Sequence, residues 1–453
     1  MLRRLLGVLS STIALCSWPQ LGHAKDLLDP ASLARRASST YPVSLGITPA
    51  SPVQAVEEDL WQRIRAQLSF SDLLNYSDGA ARVAAERRWY TDNPQYLARV
   101  SERATPYLYH VVEAIESRHM PMELALLPIM ESAYDPYAYS HGRAAGLWQI
   151  IPGTGRELGL TQDWWYDGRR DLRDSTEAAL DYLAQLGERF DGDWLKALAA
   201  YNAGPGRISK AEKRNRARGK STDFWALDLP RETRAYVPRL LALAELVAEP
   251  SRYGQSLTGI PNSRYFDVVD TGGQIELARA AELAGITLPE LRQLNPGFNR
   301  WATSPQAVGE LLLPLGTGER FSAGLEQLGA SERVQWKRYT VRSGDTLIGI
   351  ARRQGTEVSV LRSINGIAGS RIVVGETLMI PSAPISADAL AVNSSPMLRK
   401  VGYRVRSGDS LARIAGKFNL SVDDILGWNE ELRDRKYIHP GQRLTLYVDI
   451  TDS

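Results

Sequence analysis

The chain has 453 residues, 43% hydrophobic and 23% charged, with 54 Lys and Arg against 52 Asp and Glu, a formal net charge of +2. That length suggests two to four domains of ordinary globular composition, and the near balance of charge gives no global argument for a nucleic acid or an anionic membrane surface as partner. Cys16 is the only cysteine, which excludes an intrachain disulfide, and the histidines (His23, His110, His119, His141, His439) show no metal-ligand spacing, so neither metal nor cofactor is expected.

Residues 1–24 read as an export signal: Arg3 and Arg4 precede an apolar run from Leu5 to Leu15, and the small residues Gly22 and Ala24 mark a cleavage site before Lys25. The run is short for a bilayer span. Cys16 inside the signal raises lipidation, but Leu15 is bulky where a lipobox has a small residue, so cleavage after Ala24 is preferred. Residues 25–94 are assigned to a spacer and an N-terminal helical region. Ser, Ala and Pro dominate up to about residue 54; Leu60, Ile64 and Leu68, and then residues 80–89, carry helical spacing. Thr105-Pro106 opens a further helix with Tyr107, Leu108, Val111, Val112 and Ile115 on one face.

Within residues 121–149, Pro121 suits a first helical position, and Leu124, Leu127 and Glu131 follow at i, i+3 and i+7 from Leu124, on one face. Pro128 predicts a kink just before Glu131. A carboxyl on an apolar stripe without a cationic partner holds its proton near neutral pH, which is what a general acid requires. A lone Glu in such a place more often ends a helix and pairs with an Arg. Asp174 and Glu177 predict a capping box for the next helix, with Leu180, Leu183 and Phe190 buried. From Trp194 a helix carries Leu195 and Leu198, then Tyr201 and Asn202 on or beside the same face, and Gly204 as its stop. Residues 210–220 form a basic cluster (Lys210, Lys213, Arg214, Arg216, Arg218, Lys220), read as a solvated loop. Gly219-Lys220-Ser221 imitates the end of a phosphate-binding loop, but Arg214 stands where that motif needs Gly, so nucleotide binding is rejected. A helix over residues 231–247 points Tyr236 inward, in register with Leu240 and Leu243. Taken singly, such Tyr and Asn residues are ordinary core hydrogen-bonding groups.

The C-terminal part repeats. Tyr339-Thr340-Val341-Arg342-Ser343-Gly344-Asp345-Thr346-Leu347 recurs 64 positions later as Tyr403-Arg404-Val405-Arg406-Ser407-Gly408-Asp409-Ser410-Leu411, and Asn365 and Asn429 keep that offset. Each copy reads as strand, helix, helix, strand. This resembles the LysM module, a small βααβ domain, over residues 338–382 and 402–448; the resemblance implies binding of N-acetylglucosamine-containing glycans. A weaker copy over residues 265–316 aligns Asn295 with Asn365 at an offset of 70 and has Gln274-Ile275 in place of Gly-Asp. Linkers are expected at about 317–337 and 383–401.

Four ordered motifs join the earlier segments: Glu131-Ser132, Gly146-Leu147-Trp148-Gln149, Ala200-Tyr201-Asn202-Ala203-Gly204, and Tyr236 in Ala235-Tyr236-Val237-Pro238. Over about residues 95–250 they resemble the lysozyme-like lytic transglycosylases of bacterial cell walls, and the stretches Pro121-Met122-Glu123-Leu124 and Phe190-Asp191-Gly192-Asp193-Trp194 look like the membrane-bound transglycosylase D branch. One departure is Trp148, where much of the wider family has Met. The resemblance implies a mainly α lysozyme-like catalytic domain of the α+β superfamily, followed by small α+β LysM modules. It also implies cleavage of the β-1,4 bond between N-acetylmuramic acid and N-acetylglucosamine to a 1,6-anhydromuramoyl end. Glu131 would be the catalytic acid, and Ser132, Gln149, Tyr201, Asn202 and Tyr236 would bind and orient the sugar and the glutamate. The implied partner is the peptidoglycan glycan strand, in the periplasm or cell envelope, with outer-membrane association if Cys16 is lipidated. Nothing in the sequence sets an oligomeric state. No second carboxylate stands at a family motif; Asp135 is the best nearby candidate, though Asp135-Pro136 reads as a turn. A hydrolytic muramidase similar to goose-type lysozymes, and a non-catalytic wall-binding protein, are the alternatives.

Overall fold

The computed structural model describes residues 59–450, apart from 71–76, 141, 164, 305–308, 335, 355, 357, 359–360, 363–364, 368, 382–397, 419 and 433–436. The export signal, Cys16 and the spacer lie outside the described residues, as does most of the linker expected at 383–401. A helical domain comes first: α1 (Leu60–Arg65), α2 (Ser77–Thr91), α3 (Gln95–Ala104), α4 (Leu108–Ser117), α5 (Leu127–Glu131), α6 (Pro152–Glu157), α7 (Leu172–Arg189), α8 (Trp194–Ala203), α9 (Pro205–Arg216) and α10 (Arg231–Ala248). α10 is the central element. Its Tyr236, Val237, Leu240, Leu241, Leu243, Leu246 and Val247 are buried, and it packs against α2, α5 and α8. The chain before α2 straps this core. Trp61 is buried and bonds Thr258 O through its indole N–H at 3.0 Å, and the buried Glu123 accepts the backbone N–H groups of Ser69 and Phe70.

Local chemistry explains where the elements differ from their sequence expectation. The apolar stretch before Glu131 is a 3-10 turn over Met122–Leu126 followed by α5, with Pro128 in the first turn of α5. Proline lacks a donor N–H, so it is accommodated where a new helix starts rather than inside a continuous one. α7 is capped by Asp171, whose carboxylate accepts from the N–H groups of Arg173 and Asp174 at 2.8 Å, and not through the predicted Asp174 box. Most of the basic cluster is helical. Ile208, Ala211 and Asn215 of α9 are buried, which leaves Lys210, Lys213, Arg214 and Arg216 on the solvated face.

Three small units follow, each built on a two-stranded antiparallel sheet. The first pairs β1 (Phe266–Asp270) with β2 (Glu310–Pro314) and encloses α11 (Leu277–Ala284) and α12 (Leu288–Leu294) between them in sequence. The stretch expected to be a linker instead adds α13 (Gly318–Glu326), because Phe321 and Leu325, one helical turn apart, are buried against α11. The second unit pairs β3 (Trp336–Thr340) with β4 (Thr377–Pro381) and contains α14 (Leu347–Gln354); the third pairs β5 (Leu398–Arg404) with β6 (Arg443–Asp449) and contains α15 (Leu411–Lys417) and α16 (Val422–Trp428).

The repeated asparagine explains why the units share a shape. Asn429 donates to Ile425 O at 2.7 Å and Thr445 O at 2.8 Å and accepts from Thr445 N–H at 2.7 Å, which clamps the second helix to the closing strand. Asn365 makes the same bonds to Leu361 and Met379, and Asn295 makes them to Leu291 and Leu312. The weak first copy therefore keeps the clamp. What it lacks is the loop latch, in which Asp345 or Asp409 accepts from a tyrosine hydroxyl (Tyr339 at 2.8 Å, Tyr403 at 2.7 Å). Replacing Asn429 by Ala leaves backbone groups unpaired in an apolar setting. This substitution is expected to lower the stability of the last unit by about 1–3 kcal/mol, read as faster amide exchange at Thr445 and its strand neighbours.

Candidate active site

α5 ends on Glu131, and α10 presents Tyr236 to it from the opposite side: the tyrosine hydroxyl donates to Glu131 Oε1 at 2.5 Å. Tyr236 is fully buried, whereas Glu131 keeps partial exposure, so the carboxyl is surrounded by protein yet reachable. Removal from water pushes its pKa up to about 7; the Tyr236 hydrogen bond and the Arg239 charge pull it down, and the Glu232 charge adds to the rise. Burial, and then the nearby Glu131 charge, push the hydroxyls of Tyr236 and Tyr201 well above the ordinary tyrosine range, so both remain donors.

Ser132 is buried, and its hydroxyl is shared at 3.0 Å between Pro128 O and Leu147 O. It pins the end of α5 to the Gly146–Gln149 loop. Tyr201, on α8, donates to Trp148 O at 2.9 Å and fixes the same loop from another side. Gln149 donates its amide to Ala138 O (3.1 Å) and Gly146 O (2.9 Å), while its Oε1 is buried and has no hydrogen-bond partner. Asn202 Nδ2 lies 3.5 Å from Glu232 Oε1. The six residues singled out in the sequence thus converge on one region, although Ser132 and Tyr201 direct their hydroxyls at backbone carbonyls. Trp148 is also turned inward: it is fully buried and its indole N–H donates to Thr176 Oγ1 at 3.0 Å.

The loop is held from behind by a buried ion pair. Asp167 binds Arg169 through two hydrogen bonds, at 2.9 and 2.7 Å, and Arg169 in turn donates to Arg143 O at 2.8 Å. The neighbouring arginines hold the Asp167 carboxyl below the usual range despite its burial. Gly146 (φ 77) rests directly on this support; a Cβ there would fall 2.0 Å from Arg169 O, so only glycine fits.

Sequence reasoning missed Glu232 and Asp167. Glu232 had a usable signal, since it precedes Tyr236 by four residues and so shares its face of α10. Asp167 had none, because Asp167-Gly168-Arg169-Arg170 lies in a segment without periodicity. Asp135 accepts from Tyr137 N–H at 2.9 Å, the turn its Asp-Pro sequence implies.

The Transglycosylase SLT domain family matches residues 111–224; the family described as lytic transglycosylase MltD, LysM-like domain, matches 265–330; and the LysM domain matches 339–381 and 403–446. The membrane-bound lytic murein transglycosylase D of Escherichia coli K12 is 42% identical over 404 residues, covering 87% of this chain and 86% of that one. An N-acetylmuramoyl-L-alanine amidase of Staphylococcus saprophyticus is 36% identical over 106 residues, 23% of this chain and 32% of its own. A solved lytic transglycosylase Slt from Pseudomonas aeruginosa, an inactive mutant, is 24% identical and covers 54% of this chain and 45% of that one, at a TM-score of 0.27. The family matches and the 42% identity over most of both chains define a lytic transglycosylase with LysM modules. Within that class, the chain belongs to the membrane-bound lytic murein transglycosylase D family.

The raised pKa of Glu131 has a consequence for stability. Below the ordinary Glu value near 4.5 the carboxyl is protonated in both folded and unfolded chains. Between 4.5 and about 7 only the unfolded chain releases the proton, so stability falls as pH rises. Glu131→Gln is therefore expected to melt at the parent temperature at pH 4 but to be more stable than the parent at pH 8, by about 1–3 kcal/mol after allowing for partial exposure; thermal denaturation at the two pH values checks this.

Proposed function

We propose that Glu131 serves as both acid and base in a non-hydrolytic cleavage of the MurNAc-β-1,4-GlcNAc bond. The observation that carries this reading is the Glu131 carboxyl held between α5 and α10, bonded by the Tyr236 hydroxyl and still partly exposed; burial pushes its pKa up to about 7, so that it can both give and take a proton near neutral pH. Glu131 gives its proton to the glycosidic oxygen as the bond to the muramoyl C1 breaks. The acetamido oxygen of the same sugar closes on C1 and supports the cationic centre, the part that a second carboxylate plays in most glycosidases. Glu131, now ionised, removes the proton from the C6 hydroxyl, whose oxygen attacks C1 and releases the acetamido group. The product is a 1,6-anhydromuramoyl end, the glutamate is protonated again, and no water is consumed.

The remaining site residues serve this step by position. Tyr236 fixes the Glu131 carboxylate and limits how far its pKa rises. The free Oε1 of Gln149 is a buried acceptor that needs an N–H, which the acetamido group of an N-acetylated sugar supplies. Ser132 and Tyr201 set the loop that carries Gln149, and Asn202 with Glu232 adds a polar edge that disfavours ionisation of Glu131. We assign catalysis to residues 95–250 and glycan binding to the LysM units at 338–382 and 402–448; the unit at 265–316 lacks the Asp latch and is read as degenerate. The protein acts on peptidoglycan strands in the cell envelope, exported by residues 1–24 with cleavage after Ala24; lipidation at Cys16 is the alternative processing, and only that alternative would anchor it to the outer membrane.

Mass spectrometry of muropeptides released from purified peptidoglycan tests the mechanism. Products one water lighter than hydrolytic ones are expected from the parent, with at least about a thousandfold less product from Glu131→Gln. Reducing-end products would indicate a muramidase, with Glu232 the first residue to examine as its base.

A further inference from the structure

The last LysM unit is seated against the segment of residues 135–150 that leads into the Gly146–Gln149 loop. Arg399 of β5 reaches Asp135 Oδ1 at 3.4 Å, and its guanidinium lies over the Tyr137 ring, 5.3 Å from the centroid. Arg170, only 1% exposed, donates to Ile450 O at 3.1 Å just past β6 and also bonds Asn299 Oδ1 of the first unit. Tyr139 and Ala145, from the catalytic loop, belong to the same buried apolar cluster as Val401, Tyr403, Ile414 and Ile450. Ala145 is bonded in both directions to Ile150 (3.1 and 3.2 Å), so one residue of loop separates the module from the Gly146–Gln149 turn.

That loop needs support. Within it, Arg143 and Gln149 have left-handed φ (66 and 49°) without being glycine. Such residues persist where the surroundings over-determine them. Here the surroundings are the Arg169 bond to Arg143 O and the docked module. The middle unit has Gln335 at the position equivalent to Arg399, 64 residues earlier, so the arginine contact is particular to the last copy.

We infer that the C-terminal LysM unit is a positioning element of the transglycosylase site: docked through Arg399, Arg170 and the Tyr139–Ala145 contact, it holds the 135–150 segment so that Gln149 meets the sugar. This rests on the reading of that segment as the cleft wall, and it is separate from tethering the enzyme to the wall polymer. A tether alters occupancy of substrate; a brace alters turnover of bound substrate.

The test uses the full chain with Arg399→Glu, which repels Asp135, and Arg399→Lys, which keeps the charge. The readouts are kcat and KM on a short soluble peptidoglycan glycan, amide exchange over residues 138–150, and sedimentation with sacculi. Arg399→Glu is expected to lower kcat about tenfold with little change in KM, because a small displacement of a positioning group is costly in rate. Exchange over 138–150 should rise, sedimentation should be retained, and Arg399→Lys should restore most of the loss. Unchanged kcat with faster exchange would reduce the docking to a structural contact and overturn the inference. Unchanged exchange would show that the module does not rest there in solution, and loss of sedimentation alone would leave only the tether. Glu131→Gln run in parallel separates the two readings: if that variant stays active the proposed acid falls, while exchange and the parent kcat still judge the docking.

Discussion

The structure depends on keeping one carboxyl out of bulk water without removing it from reach. α5 is too short to do this alone; it is five residues long and ends at the glutamate. The work is done by α10, whose buried face supplies both the apolar surroundings and a single hydroxyl contact to Glu131. Were the site more polar, the acid would ionise; were it fully closed, the acid would not meet a sugar. The Gly146–Gln149 loop, Ser132 and Tyr201 are arranged around that compromise, and most of their hydrogen bonds go to backbone carbonyls, which fixes geometry without adding charge near the acid.

The loop itself is held by opposite means. Behind it, Asp167 and Arg169 form an almost entirely buried ion pair, a costly arrangement unless each charge is met by good geometry. Two parallel bonds and a backbone carbonyl supply that geometry. The Asp167 and Glu131 carboxyls thus sit in environments of opposite character: neighbouring arginines favour the charged form of Asp167, while burial and the nearby Glu232 disfavour that of Glu131. One carries rigidity and the other reactivity.

Much of this was legible in the sequence because the determinants were local or periodic. The positions of Glu131, Tyr201 and Tyr236 on apolar helix faces followed from spacing, and the repeated Asn, displaced by fixed offsets, marked all three small units, including the degenerate one. What was not legible depended on tertiary partners. Pro128 was placed in a kink because a sequence cannot show that the preceding turn is 3-10. The apolar Phe321 and Leu325 were passed over in a supposed linker because their partner helix, α11, is recruited from forty residues away. The seating of the last unit against Asp135 and Tyr137 left no trace in composition, since it uses one arginine among many.

The Arg170 bond to Ile450 joins positions 280 residues apart. Contacts of such separation form late, after the intervening units have closed on themselves. The helical domain can therefore bury its acid early, from neighbours within its own segment, whereas the outermost support of its loop waits for the final module to fold and settle. In an enzyme directed at peptidoglycan, this order makes the supported loop depend on a unit whose contact lies 280 residues further along the chain.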